Sequence, residues 1–343
     1  MPAFESKKFP LRLGQLLLLT LPLGACGGKA VDLDRRAGTT PVDDADVVVR
    51  APAGTLWTGG EYLLWTDLNL IPDRLTPLQG CRKDDCTNTL VAYATLVSQN
   101  VATSSTHVAF SIGDPTSCPL SGCDGHPTRV FDDYTLEVAL DDDYLYWLNE
   151  DSVYRCPVDG CGALLPSVIA SRQTVPDRIL RVAGGSAYWR VDSELRRTRV
   201  DGSEPVAVAA TSLPLTNYRG DDLTIAGGST LYYLGANNHL YQCSLPTCTE
   251  PTDLVATDTE KFSLHADERG VFWLELDDTV HFCEASGCDS TPTTASPTGV
   301  YAFTIDAEYV YWSEKTKLST FNGVPSPTGD LSSKGENIHR TAR

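Results

Sequence analysis

Thr135-Leu136-Glu137-Val138-Ala139-Leu140, then Asp141-Asp142-Asp143, then Tyr144-Leu145-Tyr146-Trp147: two short alternating runs meet across a tight acidic turn. A third run, Val153-Tyr154-Arg155-Cys156, follows. Past the turn Pro157-Val158-Asp159-Gly160-Cys161, a fourth extends from about Leu164 to Ala170. Apolar alternation with a period of two, broken by turn residues, reads as four antiparallel strands, a to d. The aromatic that ends strand b recurs along the chain as Trp65, Phe110, Trp147, Trp189, Tyr233, Trp273 and Trp312, at steps of 45, 37, 42, 44, 40 and 39 residues. A period near 40 built of short strands predicts an all-β, seven-bladed β-propeller with one four-stranded sheet per repeat.

The inner strand a recurs as Arg181-Val182-Ala183, Leu223-Thr224-Ile225-Ala226, Phe262-Ser263-Leu264-His265-Ala266 and Phe303-Thr304-Ile305-Asp306. Small residues there suit the crowded axis. The strand b aromatics read as core between blades rather than as a carbohydrate platform. A six-bladed ring is the alternative, if the weak second unit, Val108-Ala109-Phe110, is an insertion. The seventh unit reads as strands a, b and c, with Ser319-Thr320-Phe321-Asn322-Gly323 at its turn, and then dissolves into Pro325-Ser326-Pro327. Its missing strand is predicted to come from the chain start, Asp46-Val47-Val48-Val49-Arg50, closing the ring and leaving no long open edge. The propeller is therefore expected over 46–325, with a polar tail over 326–343.

Ahead of it, Lys7, Lys8 and Arg12 precede an apolar run from Leu13 to Leu23, too short to span a bilayer. The run ends in Leu23-Gly24-Ala25-Cys26, which resembles a bacterial lipobox. That resemblance implies a signal peptide over 1–25, cleavage before Cys26 and lipidation of its thiol. Gly27, where Asp favours inner-membrane retention in such families, implies outer-membrane sorting. Several acyl chains suffice for stable anchoring. Residues 26–45 carry no apolar period and read as a flexible tether.

Ten cysteines remain beside Cys26, in five pairs with four residues between: Cys81/Cys86, Cys118/Cys123, Cys156/Cys161, Cys243/Cys248 and Cys283/Cys288. Each pair encloses turn chemistry such as Pro119-Leu120-Ser121-Gly122 or Glu284-Ala285-Ser286-Gly287. In an oxidising, exported setting they are expected to be disulfides, each joining facing residues of one hairpin. Metal binding is the weaker reading, because pairs spread one per blade do not converge. The fourth unit keeps the turn, Arg197-Thr198-Arg199-Val200-Asp201-Gly202-Ser203, without cysteines. The disulfide is thus an addition to the hairpin, not its cause.

Leu64-Trp65-Thr66-Asp67, with Tyr146-Trp147, Tyr188-Trp189 and Tyr311-Trp312, resembles the YWTD propellers of lipoprotein receptors and related bacterial propellers. The chain departs from them in lacking Thr-Asp after most aromatics. The cysteine-turn pattern also resembles a group of exported propeller lipoproteins of myxobacteria, which implies no particular activity.

A net charge of −18 argues against nucleic acid and anionic lipid surfaces as partners. No nucleophile elbow, phosphate loop or HExxH occurs. His265 is the histidine on an inner strand and reads as a packing residue. Asp141, Asp267 and Asp306 each stand six residues before their aromatic, where Gly59, Ser104, Ala183 and Gly227 stand in the other units. Three acids at unequal angles give only a minor case for a structural calcium in the channel, and no cofactor is expected otherwise. The function expected from sequence is a monomeric, non-enzymatic binding or scaffold module of the cell envelope, held to the membrane by its lipid alone, with an envelope protein or glycan as partner. The alternatives are an exported metal-dependent lactonase or hydrolase working at the channel mouth, and a purely structural envelope component.

Overall fold

The computed structural model describes residues 47–51, 53–66, 76–97, 100–111, 113–171, 179–211, 213, 222–288, 291–314, 320–321, 324–325 and 337–343. The expected signal peptide, Cys26, the tether and residues 326–336 lie outside the described residues.

Alternating short strands can bury both faces only by stacking sheet on sheet, and that is the arrangement found. Among the described residues there are seven four-stranded antiparallel sheets and no helix. The chain is a seven-bladed β-propeller. Blade one runs Leu56–Gly59, Tyr62–Thr66, Thr76–Arg82, Val91–Val97. Blade two, the weak unit, is complete: Val101–Thr103, His107–Ser111, Pro115–Pro119, Thr128–Arg129. Blade three is Glu137–Leu140, Tyr144–Leu148, Val153–Pro157, Ser167–Ala170, and blade four Leu180–Ala183, Ser186–Val191, Glu194–Arg199, Ala207–Ala210. Blade five is Leu223–Ala226, Thr230–Leu234, Leu240–Ser244, Thr252–Val255, and blade six Lys261–Asp267, Gly270–Glu275, Val280–Glu284, Thr293–Thr294.

Blade seven closes the ring and corrects one expectation. Its strands are Val300–Ile305, Tyr309–Glu314, Asn337–Ala342 and Val47–Arg50. The amino-terminal strand supplies strand d, as the sequence predicts, with Val49 opposite Ile338 and Arg50 opposite Asn337. Strand c, however, is not the segment around Thr320. Thr320–Phe321 instead pairs with Val324–Pro325 as a separate two-stranded hairpin. The expected polar tail therefore ends in a ladder strand, and the propeller runs to Ala342. Its alternation is hidden because polar side chains bury by their flat faces: His339 stacks on Trp312 at 5.5 Å, and Arg340 lies over Tyr309 at 4.7 Å.

The core is a set of seams rather than a centre. Seven apolar clusters each join two neighbouring blades. The Tyr-Trp doublets follow from this. Consecutive strand residues face opposite ways, so Trp147 packs into the seam with blade two and Tyr146 into the seam with blade four. Trp189 and Tyr188 divide in the same sense, as do Trp312 and Tyr311.

All five expected disulfides are present: Cys81–Cys86, Cys118–Cys123, Cys156–Cys161, Cys243–Cys248 and Cys283–Cys288, with Cα atoms 4.8 to 5.7 Å apart. Their placement corrects the sequence reading, which put the two cysteines of each pair at facing ladder positions. The first cysteine lies at the end of strand c and the second in the turn before strand d. In blade one the c–d ladder stops at Gly80↔Val91, so Cys86 is not on strand d opposite Cys81. It sits in the turn that the Asp85 N–H closes on Arg82 O, and its side chain is buried in the seam with Tyr311 and Ile338 of blade seven. In blade three the ladder likewise reaches only Arg155↔Ser167, short of Cys156 and Cys161. The reason is that four intervening residues make a turn too wide for a two-residue hairpin, and the chain folds inward before strand d begins. Gly122, Gly160 and Gly287 take φ of 111°, 103° and 106° and allow the reversal.

The second cysteine also meets the preceding blade elsewhere in the ring. The Cys248 N–H donates to Ala209 O at 2.7 Å, and the Cys123 Sγ lies 3.5 Å from Tyr93 O. These disulfides thus plug seams between blades. Blade four shows the substitute. Thr198 is paired with Ala187 as Cys156 is with Leu145, is fully buried, and donates its hydroxyl to Glu204 O at 2.7 Å. A hydrogen bond closes that turn instead. Blade seven has no c–d turn at all, because its strand d comes from the other end of the described chain.

Ring closure is also tied electrostatically. Lys83 Nζ, in the disulfide turn of blade one, reaches Asp306 Oδ2 of blade seven at 2.8 Å. Arg343 Nη1 reaches Asp267 Oδ2 of blade six at 2.8 Å and lies over the Phe272 ring. Burial acts against the Asp306 carboxylate, but the Lys83 ammonium and the N–H groups of Glu308 and Tyr309 outweigh it and hold the pKa below its ordinary value. A depressed carboxyl pKa supplies stability that is complete above the ordinary carboxylate range and is lost as pH falls through the depressed value. The melting temperature should therefore drop below about pH 4, and Asp306→Asn should flatten that drop while lowering the neutral-pH value. Melting curves from pH 3 to 7 for both proteins test this.

Candidate functional site

Antiparallel order assigns the connections to two faces. The a–b and c–d connections emerge on one, here the turn face; the b–c and d–a connections emerge on the other, the loop face. The turn face is regular. Its a–b connections are short in every blade, and its c–d turns are closed by five disulfides and Thr198. Length varies most among the connections that leave the loop face, from residues 192–193 between Val191 and Glu194 to residues 211–222 between Ala210 and Leu223.

The acids singled out in the sequence sit on the turn face, and each serves its own turn. Asp141 Oδ1 accepts the N–H groups of Asp143 and Tyr144, and Oδ2 accepts the Tyr146 hydroxyl at 2.6 Å. Asp306 repeats this with Glu308, Tyr309 and, at 3.0 Å, the Tyr311 hydroxyl. Burial foremost, and then the neighbouring carboxylate, pushes both tyrosine pKa values up. Asp267 caps Arg269 N–H and pairs with Arg343. The three acids are not brought together: among the described residues no cluster of potential metal ligands contains any of them. Their spacing marks a capped turn, followed five residues on by a tyrosine after Asp141 and Asp306 and by Phe272 after Asp267, not a channel cage. His265 meets the Phe303 ring edge-on at 4.8 Å, a packing contact between blades six and seven, as expected.

The chemistry gathers instead on the loop face of blade six. In four blades the strand b aromatic stacks on a ring from strand c: Trp147 on Tyr154, Tyr233 on Tyr241, Trp273 on His281 and Trp312 on His339, with centroids 5.4 to 5.8 Å apart. Blades six and seven add a glutamate two residues after the tryptophan. In blade seven, His339 Nε2 lies 2.9 Å from Glu314 Oε1, a direct hydrogen bond. In blade six, His281 Nε2 stands 3.8 Å from Glu275 Oε2 and 3.6 Å from Asp277 Oδ2. Glu275, Asp277 and His281 form the cluster of three potential metal-ligating groups found among the described residues, with ligand atoms within 4.8 Å of one another. Sequence reading missed it. The repeated Trp273-Leu274-Glu275 and Trp312-Ser313-Glu314 carry the signal that could have found it.

Beside this cluster, Lys261 at the start of blade six's inner strand is buried. Its ammonium donates to Asn238 O, Thr257 O and Oγ1, and Thr259 O at 2.7 to 3.0 Å. Burial lowers its pKa, against the pull of Glu275, Asp253 and Asp258. It ties the end of blade five to blade six.

No family model matches this chain, and no curated protein matches it. Solved structures do. One is PorZ, an essential bacterial surface component of the type-IX secretion system of Porphyromonas gingivalis: TM-score 0.52, 13% identity, 78% of this chain and 36% of that one. The chain thus spans about a third of the length of PorZ. The β-propeller domain of the Trilobed protease from Pyrococcus furiosus, described as having an open velcro topology, aligns with TM-score 0.54 and 9% identity over 78% of this chain and 92% of that one. The WD40 β-propeller domain of Doa1 aligns with TM-score 0.53 and 8% identity over 87% and 96%. At these identities the likeness establishes the propeller fold alone.

Proposed function

We propose that this chain is a lipid-anchored propeller of a bacterial cell envelope that acts as a binding or scaffold module, resembling YWTD-like propellers and the exported propeller lipoproteins of myxobacteria. The observation that carries the reading is the asymmetry of the disc. One face is fixed by capped turns and disulfides, while the connections that leave the strands at the other vary most in length. That is the usual division between scaffold and binding loops. The Leu23-Gly24-Ala25-Cys26 sequence supports anchoring through Cys26, and the five disulfides support an oxidising compartment. PorZ offers a precedent for a similar fold in a bacterial surface component. A protein or glycan of the envelope is the fitting partner, since the acidic body repels nucleic acid.

The test is cross-linking of the full chain in its own envelope membranes. Replacing 211–222 and 315–336 by short turns should abolish the cross-linked product, whereas Ser121→Lys and Ser286→Lys on the turn face should retain it. Cys26→Ala should move the protein from the membrane to the soluble fraction. A product that survives loss of both loop-face connections, or a Cys26→Ala protein that stays membrane-bound, overturns the reading.

A further inference from the structure

We propose that Glu275, Asp277 and His281 form a binding site for a divalent first-row transition ion of the zinc class, on the loop face of blade six. The first argument is geometric. With bonds of about 2.0–2.1 Å, a tetrahedral ion holds neighbouring ligand atoms about 3.3 Å apart. The separations of 3.6 and 3.8 Å from His281 Nε2 to the two carboxylate oxygens are too long for hydrogen bonds and close to that edge.

The second argument is that each carboxylate is already aimed. Glu275 Oε1 accepts the Trp273 indole N–H at 3.0 Å, which leaves Oε2 facing the imidazole. Asp277 Oδ1 accepts the Thr279 N–H at 3.0 Å, which leaves Oδ2 facing the same atom. Outer partners that fix ligand orientation in this manner are the usual second layer of a metal site. Trp273 also holds the His281 ring by stacking at 5.8 Å and 22°.

The third argument is the imidazole itself. Both His281 ring nitrogens are buried without a hydrogen-bond partner, a costly arrangement unless something else satisfies them. Blade seven supplies the contrast, since His339 in the equivalent place closes on its glutamate at 2.9 Å. Lys261, the cation paired in register with Glu275, spends its ammonium on four oxygens of blade five and the following connection. Glu275 and His281 are mostly buried whereas Asp277 is half exposed, so an ion enters past Asp277 and keeps a position open to water. A nitrogen ligand disfavours calcium and magnesium, which take oxygen.

Calorimetric titration of the full chain in detergent, with zinc chloride and separately calcium chloride, tests the site. Zinc should bind one equivalent and raise the melting temperature by a few degrees at saturating concentration, and calcium should give no heat. His281→Ala and Asp277→Asn should each weaken zinc binding at least about tenfold, and His339→Ala should leave it unchanged. Asp277 lies in an exposed turn, so its variant separates ligand loss from misfolding. No zinc heat in the parent chain, equal affinity in Asp277→Asn, or loss of binding in His339→Ala alone would overturn the proposal.

Discussion

Deleting Asn337–Arg343 should destroy the cooperative unfolding of the propeller. Strand c of blade seven sits between the strand from the start of the domain and Tyr309–Glu314, with a ladder on each side. Without it, Val47–Arg50 has no partner and blade seven keeps two strands. Ile338, wholly buried in the seam between blades seven and one, is lost from that cluster, and the Cys81–Cys86 disulfide beside it is uncovered. So are lost the His339–Trp312 stack and the Arg343–Asp267 ion pair. In an array where each repeat contacts only its neighbours, one lost blade exposes two seams. The expected result is a melting temperature lower by more than about 10 °C, a broadened transition and binding of a hydrophobic dye. The single variant Ile338→Ala should cost about 2–5 kcal/mol by removing a buried side chain from that seam. If 337–343 were a tail, both changes would leave the melting curve where it was. Chemical denaturation with fluorescence detection of the buried tryptophans distinguishes the two.

The fold was legible because its signal is repeated and local. Strand b of each blade declares itself by an aromatic whose neighbour faces the opposite seam, and Trp147 with Tyr146 is enough to place both sides of a blade. The closing strand was half legible. Val47, Val48 and Val49 read as a spare strand, but Asn337–Ala342 did not, because His339 and Arg340 bury by stacking and carry no apolar alternation. The disulfide pairs were legible from their spacing. Their contact with the preceding blade was not, since the seam that takes up Cys86 or Cys123 exists only once neighbouring sheets stack. The candidate metal cluster was hidden for a different reason. Glu275, Asp277 and His281 become neighbours only when the b–c turn folds back, and the tryptophan that organises them looks the same as the core tryptophans of other blades. Asp141, Asp267 and Asp306 drew attention by equal spacing, which turned out to encode a capped turn.

Reduction of the disulfides should weaken the ring seam by seam and spare the seam between blades three and four. Each disulfide closes a loop of the same small size, so the chain-entropy model assigns it about 2 kcal/mol at most. The seam position matters as much. The second cysteine touches the outer strand of the preceding blade, through Cys248 N–H to Ala209 O and Cys123 Sγ near Tyr93 O. A reduced turn that swings outward uncovers that strand. Reduced thiols still pack as small apolar groups, so the fold should persist. For a body of this size each kcal/mol moves the midpoint by roughly 1–2 °C, and full reduction should lower it by roughly 10 °C. Hydrogen exchange gives the sharper reading. Strand d in blades four and five, Ala207–Ala210 and Thr252–Val255, which Cys248 and Cys288 touch from the following blade, should exchange faster under reductant. Ser167–Ala170 of blade three should respond least, since the turn that packs on it from blade four is held by the Thr198 hydroxyl and carries no disulfide. Thr198→Cys with Ser203→Cys, which recreates the spacing of the other blades, should make blade three's outer strand sensitive to reductant in its turn, because the turn of blade four packs on Ile169. Exchange that quickens uniformly in all blades, or nowhere, would mean that the disulfides do not act at their own seams.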